Sequence, residues 1–175
     1  MSIPVDVRDL LARPGTTRKV HVEEPVEGLR AGLVRVPDDA AVDADLLLES
    51  VVEGILASGE LSCTVVETCA RCLAPIERPF HVGVQELFAP AAVAEEIEGY
   101  PIADDEIDLE PLIRDAVVLA MPYSPLCSPG CKGLCERCGG DRNLDECSCG
   151  PVLDERWAPL AGLILPDGPA DGRAN

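Results

Sequence analysis

Basic side chains are scarce in this sequence. Its 175 residues carry 14 Lys+Arg against 32 Asp+Glu, a formal net charge of −18. Counterion-release binding to polyphosphate needs clustered Lys and Arg, so autonomous high-affinity nucleic-acid binding is disfavoured. Aromatics are rarer still: Phe80, Phe88, Tyr100, Tyr123 and Trp157 are the whole set, and no interleaved run of them is there to stack bases. No stretch of about 18 uncharged apolar residues occurs, the length a membrane helix needs. The amino terminus lacks a basic head followed by a long apolar run, so no secretory signal is read there. The expectation is a cytoplasmic protein with no membrane association. A phosphate-cradling glycine loop and a Ser/His/Asp set with supporting context are also missing, and His21 and His81 stand alone and read as structural. These gaps leave no catalytic residue to name and no small-molecule substrate class, so a non-enzymatic protein is expected.

Hydrophobic residues make up 47% of the chain, enough for a real core. Residues 5 to 19 read as a short helix around Val7, Leu10 and Leu11, broken by Pro14-Gly15. Strands are expected at 45 to 57, at 61 to 68 with Leu61, Cys63 and Val65 alternating, and at 79 to 88 with Phe80, Val82, Val84 and Phe88 on one face. Ser58-Gly59 and Ala74-Pro75 fall where turns are needed. Short links between strands favour an antiparallel meander, since parallel pairing calls for crossover helices. From 36 to 70 there is no base, while Asp38, Asp39, Asp43, Asp45, Glu49, Glu53, Glu60 and Glu67 read as a solvated acidic face. The acidic, proline-bearing stretch 86 to 110 reads as a mobile loop. At 109 to 120, Leu109, Leu112, Ile113, Ala116, Val117 and Ala120 form one apolar helical stripe, opened by Asp108 as cap and stopped by Pro122. The fold class expected is α+β: an antiparallel sheet packed on one main helix, with a cysteine-rich zinc-binding C-terminal segment. By residue number, the core domain spans 1–126 and the cysteine-rich segment 127–165, which ends in a short amphipathic piece from Trp157 to Leu163. The stretch 166–175 is a disordered tail.

Nine cysteines in a reducing cytosol are hard to read as disulfides, and metal ligation is the leading account. Eight of them form four close pairs: Cys69 with Cys72, Cys127 with Cys131, Cys135 with Cys138, and Cys147 with Cys149. Each pair can chelate one cation, and two pairs complete the closed tetrathiolate of structural zinc, so one or two zinc ions are expected. Glycine after Cys138 permits a tight turn that aims backbone N–H groups at sulfur. Four pairs combine two by two in three ways. The preferred assignment joins Cys69, Cys72, Cys127 and Cys131, leaving Cys135, Cys138, Cys147 and Cys149 as a local knuckle. The first set closes a long loop at a cost of about 3.5 kcal/mol. Structural zinc releases on the order of 10 to 16 kcal/mol, so the metal wins. Cys63, alone on a strand, reads as a small buried hydrophobe.

Several separated motifs together resemble the YceD family, the large ribosomal RNA subunit accumulation proteins, and most closely its actinobacterial branch. They are Glu67-Thr-Cys69-Ala-Arg-Cys72-Leu73, Ile107-Asp108-Leu109, Asp115 to Pro122, Cys127-x3-Cys131-Lys-Gly-Leu-Cys135-x2-Cys138-Gly139, and Asp154-Glu-Arg156-Trp157-Ala158-Pro159-Leu160. The likeness covers about residues 5 to 165. It implies a cytosolic bacterial factor needed for accumulation or maturation of large-subunit ribosomal RNA, with no catalytic activity. In similar members the positions of Cys147 and Cys149 are often histidines, an exchange that shared zinc ligation permits. This chain departs from the pattern there, and again with Asp154-Glu155-Arg156 for Asp-Pro-Arg.

The partner expected is a basic ribosomal protein or a large-subunit assembly intermediate, because each tetrathiolate zinc adds about −2 to an already acidic chain. Direct RNA contact has only Arg8, Arg13, Arg18, Lys19, Lys132, Arg137 and Arg142 to draw on, diluted by carboxylates. The alternative is a redox-sensing zinc-thiolate protein or chaperone, which needs exposed reactive thiolates. Thiol–disulfide exchange by Cys69-Ala-Arg-Cys72 is disfavoured, because that pair follows a strand and lacks the helix start such a site uses.

Overall fold

The computed structural model describes residues 2–11, 13–97, 99–144, 147–150 and 156. The chain divides into two compact units, Met1–Cys131 and Lys132–Asn175. The first unit is mostly strand. Its elements run β1 Pro4–Asp6, α1 Arg8–Leu11, β2 Thr17–Pro25, β3 Arg30–Ala31, β4 Val34–Arg35, β5 Ala41–Val51, β6 Gly54–Thr68, β7 Pro75–Pro90, α2 Ala91–Ala94, β8 Tyr100–Ala103, β9 Glu106–Asp108 and α3 Leu109–Ala120.

The long strands follow from alternation. Along β5, Val42, Ala44, Leu46, Leu48 and Ser50 are buried, while the residues between them are half-buried or exposed. Strand β6 is central: β5 pairs with its first half, β4 with Val66 and Glu67, and β7 lies along its other edge from Ile55 to Thr68. The inward residues of β7 expected from sequence, Phe80, Val82, Val84 and Phe88, all contribute to the core. The apolar stripe of α3 enters the same cluster, with Leu109, Leu112, Ile113 and Val117 fully buried. Asp108 caps this helix, and its carboxylate accepts hydrogen bonds from the backbone of Glu110 at 3.0 Å and Ile3 at 2.8 Å and from the Ser2 hydroxyl at 2.8 Å.

Five local expectations are corrected. The strand expected at 45–57 is broken at Val52-Glu53, where β5 turns into β6 with Val51 opposite Gly54; the apolar Val51-Val52 conceals a two-residue turn. Ser58-Gly59 is not a turn but lies within β6, where a Cβ on Gly59 would run into the Asp45 carbonyl oxygen, so the neighbouring strand approaches too closely for a side chain. Stretch 86–110 is not a loop throughout: it holds the end of β7, α2, β8 and β9, because Phe88, Ala89, Ala94, Ile102 and Ile107 are buried between its carboxylates. Among the described residues of the helix expected at 5–19, only Arg8–Leu11 are helical; Val5 and Asp6 belong to β1 and Thr17 to Lys19 to β2. The pairing is not purely antiparallel either. Phe88–Pro90 of β7 run parallel to Tyr100–Ile102 of β8, over a crossover just long enough for one helical turn and only three paired residues.

Glu67 also leaves the solvated acidic face. It is 1% exposed, on the same side of β6 as Leu61 and Val65, and forms an ion pair with Arg78 of β7. A buried carboxylate requires such a partner. The piece expected near Trp157 to Leu163 and the tail from 166 lie outside the described residues.

Candidate metal centres

The first cysteine set is built on the β6–β7 connection. The Cys69 amide donates to the Ala74 carbonyl at 2.9 Å and the Leu73 amide to the Cys69 carbonyl at 3.0 Å, folding Cys69-Ala-Arg-Cys72 into a tight knuckle. Leu73 takes φ 62°, a left-handed conformation that non-glycine residues seldom adopt. The segment after α3 comes to this knuckle: the Ala70 amide donates to the Pro125 carbonyl at 2.8 Å, and the Arg71 guanidinium to the Cys131 carbonyl at 2.9 Å. The sulfurs of Cys69, Cys72, Cys127 and Cys131 thereby lie within 4.8 Å of one another. Cys69 Sγ is 3.8 Å from Cys131 Sγ, and Cys72 Sγ is 3.6 Å from Cys127 Sγ. The edge of a tetrahedron with metal–sulfur bonds of about 2.3 Å is roughly 3.8 Å. These separations fit a tetrathiolate and are far beyond a disulfide bond. Three of the four cysteines are buried, and Cys127 is exposed.

Protons are shared unevenly in such a cluster. The backbone N–H of Cys72, then that of Cys127, brings the Cys69 thiol down to about 6. Cys72 is pushed up to about 12: the N–H of Ala74 favours its thiolate, but burial and the neighbouring sulfurs of Cys69, Cys127 and Cys131 outweigh it. Cys127 is raised chiefly by the Cys131 side chain. One sulfur takes a negative charge and opposes ionisation of the others, a penalty that a divalent cation removes.

The second set belongs to the second unit and is local. The Cys135 amide donates to the Gly140 carbonyl and the Gly139 amide to the Cys135 carbonyl, each at 2.8 Å, and Gly139 adopts φ 71°. Around this knuckle Leu134 bridges Asp141, the Arg142 amide donates to the Gly133 carbonyl, and the Asn143 side chain accepts from the Lys132 amide at 2.7 Å. The sulfurs of Cys135, Cys138, Cys147 and Cys149 lie within 4.8 Å of one another, and none of the four residues is buried. Backbone N–H groups of Cys138 and Arg137 lower Cys135 to about 6, whereas the Cys138 side chain, followed by desolvation, pushes Cys149 up to about 12. Two sets made only of thiol donors suit a soft or borderline cation and offer no oxygen to a hard one.

Cys63 is half-buried against the core, and burial raises its thiol. Sequence reasoning missed the surroundings of the histidines. The His21 Nδ1 lies 3.0 Å from an Asp45 carboxylate oxygen and 3.6 Å from one of Asp43, and the His81 Nδ1 lies 3.3 Å from Glu60. Asp43 and Asp45 were visible only as part of an acidic stretch, and which strand pairs with β5 is set by tertiary register. Two bases offered for RNA contact are engaged: Arg8 with Asp105 at 3.2 Å and Arg18 with Asp9 at 2.8 Å. No described helix is long and apolar enough to cross a membrane.

Residues 57–164 match the family model described as large ribosomal RNA subunit accumulation protein YceD. The uncharacterized protein Rv2926c of Mycobacterium tuberculosis is 39% identical over 93% of this chain and 82% of its own length, and ML1660 of Mycobacterium leprae is 32% identical over 94% and 78%. A maize protein named large ribosomal RNA subunit accumulation protein YCED homolog 1, chloroplastic, is 40% identical over 37% of this chain and 22% of its own. No solved structure matches. With the family model covering both cysteine sets and more than half of the residues, the chain belongs to the YceD family.

Proposed function

We propose that this protein is a non-enzymatic factor for the accumulation or maturation of large-subunit ribosomal RNA, working in the cytoplasm on a large-subunit assembly intermediate through a basic ribosomal protein. The observation that carries the reading is the family match over residues 57–164, a range that includes both cysteine sets. In this reading Cys69, Cys72, Cys127 and Cys131 hold one structural zinc, and Cys135, Cys138, Cys147 and Cys149 hold a second. A bound zinc supplies charge neutralisation and a fixed tetrahedral geometry. The protein supplies the rest: backbone N–H groups at Cys72, Cys138 and Arg137 orient the thiolates, and four sulfurs in each set would fill a tetrahedral cation's coordination positions. A closed set with no open position is a fastening, not a catalyst. The strand-rich unit with its buried α3 stripe then serves as a scaffold, and its acidic surface steers basic partners.

Depletion of the protein from growing cells is the test. The ratio of large- to small-subunit ribosomal RNA should fall and precursors of the large subunit should accumulate, while elemental mass spectrometry of the purified chain should give two zinc ions. An unchanged ratio would remove the reading. The exposure of the second set favours a second one, redox sensing, in which low-dose peroxide releases zinc from that set and exposes holdase activity.

A further inference from the structure

One side of the sheet is left open. Among the described residues β1 pairs only with β9 and β2 only with β5. A groove of about 440 Å³ runs between Ile3–Val5 on one wall and His21–Glu24 on the other. Its second wall is a strand edge with unspent hydrogen-bonding capacity. The Ser50 amide donates to the Thr16 carbonyl, and antiparallel partners bond at alternate positions. The even residues of β2 therefore face β5, and Thr17, Lys19, His21 and Glu23 turn their N–H and C=O groups to the free edge. The β1 wall has less to offer: Ile3 and Val7 bond to Leu109 and Asp105, Pro4 has no N–H, and the Asp6 carbonyl already accepts from Arg18. The unpaired edge of β2 is a template for another strand.

The chemistry of the flank selects what can lie there. Glu23 and Glu24 line the groove, and Asp43 and Asp45 stand beside His21 on the adjacent strand. Among the described residues no lysine or arginine forms an ion pair with any of these four carboxylates. An extended chain bearing lysine or arginine at alternate positions would place its backbone against β2 and its cations on the face that carries Glu23, Asp43 and Asp45, with Glu24 on the opposite face. A phosphate backbone would be repelled. We propose that the free edge of β2 receives an extended lysine- and arginine-rich segment of a protein partner as an added strand seated in the groove beside β1. This deepens the assembly-factor reading and rests on it for the kind of partner.

The probe is a labelled ten-residue peptide of alternating Lys and Thr, with a Glu-Thr counterpart, added to the full metal-loaded chain. The Lys-Thr peptide should bind and slow amide hydrogen exchange at Thr17, Lys19, His21 and Glu23 by tenfold or more, and its affinity should fall with salt. Lys19→Pro removes an outward N–H at a place where an edge strand accepts proline, and should weaken binding at least tenfold at unchanged melting temperature. Should that variant fail to fold, the double change Glu23→Lys and Glu24→Lys keeps the strand and should weaken binding similarly. Equal binding of the Glu-Thr peptide, or no protection of β2, overturns the proposal. So does protection of those amides without peptide: if concentration-dependent the occupant is a second copy, and if not it is another part of this chain. Co-sedimentation with large-subunit precursors separates the two readings. If it persists while the peptide fails, the edge is wrong and the assembly role stands; if it is lost while the peptide binds, the reverse holds.

Discussion

Cys69, Cys72, Cys127 and Cys131 come from a hairpin loop and from the segment beyond α3, and three of the four are buried; Cys135, Cys138, Cys147 and Cys149 come from one short stretch, and none is buried. The donors are the same and the knuckles nearly superpose in their hydrogen bonding, yet the consequences of losing a cation differ. At the first set, a bound cation would close a long loop between the β6–β7 connection and the segment beyond α3. At the second it would organise one short stretch in which none of the four cysteines is buried. Identical coordination chemistry can thus hold up a fold in one place and shape a local patch in another, and what separates the cases is the length of chain enclosed and the burial of the sulfurs.

The comparison can be broken first by ligand removal at the buried set. Cys72→Ser should lower the melting temperature of the far-ultraviolet transition by about 10 °C or more, as loss of a structural metal does. Cys138→Ser should cost one equivalent of metal and the amide dispersion of residues 132 to 150, and move the main transition by under about 2 °C. Global unfolding by both variants would erase the distinction. Chelator competition sharpens it: release should be biphasic, with the second set emptying faster by on the order of tenfold or more, since none of its four cysteines is buried. The smallest effect concerns the residue after each knuckle. Leu73 carries a left-handed backbone at φ 62° where Gly139 has φ 71°. Leu73→Gly should stabilise by about 0.5–1 kcal/mol, the relief of left-handed strain less the entropy cost of glycine. Gly139→Leu should cost about 1–2 kcal/mol, confined to the second unit. Denaturant unfolding measures the first, and hydrogen exchange the second.

Much of this was legible from residue patterns, because the signals were local. The stripe at Leu109, Leu112, Ile113 and Val117 with Asp108 ahead of it specifies a capped helix without reference to anything else, and cysteine spacing alone marks the four chelating pairs. Which pair meets which depends on β6 and α3 delivering their ends to one place, so sequence left three combinations standing. The turn at Val52-Glu53 was hidden because two valines imitate a continuing strand. Gly59 misled in the other direction, since a glycine required by a close strand approach looks like a turn glycine. The buried Glu67 was unreadable for a related reason: its partner Arg78 comes from the neighbouring strand, and only the register brings the two together.

Asp108 works as a clasp. One carboxylate receives the Ser2 hydroxyl, the Ile3 amide and the Glu110 amide, so the beginning of the chain and the beginning of α3 are fastened by a single group. Partial burial pushes its pKa up, but those donors prevail and hold it below the usual carboxylate range. The fastening is therefore complete above that range and slips only as acid protonates Asp108 through its depressed value. Trimming two or three residues from the front of the protein would loosen a helix more than a hundred positions away.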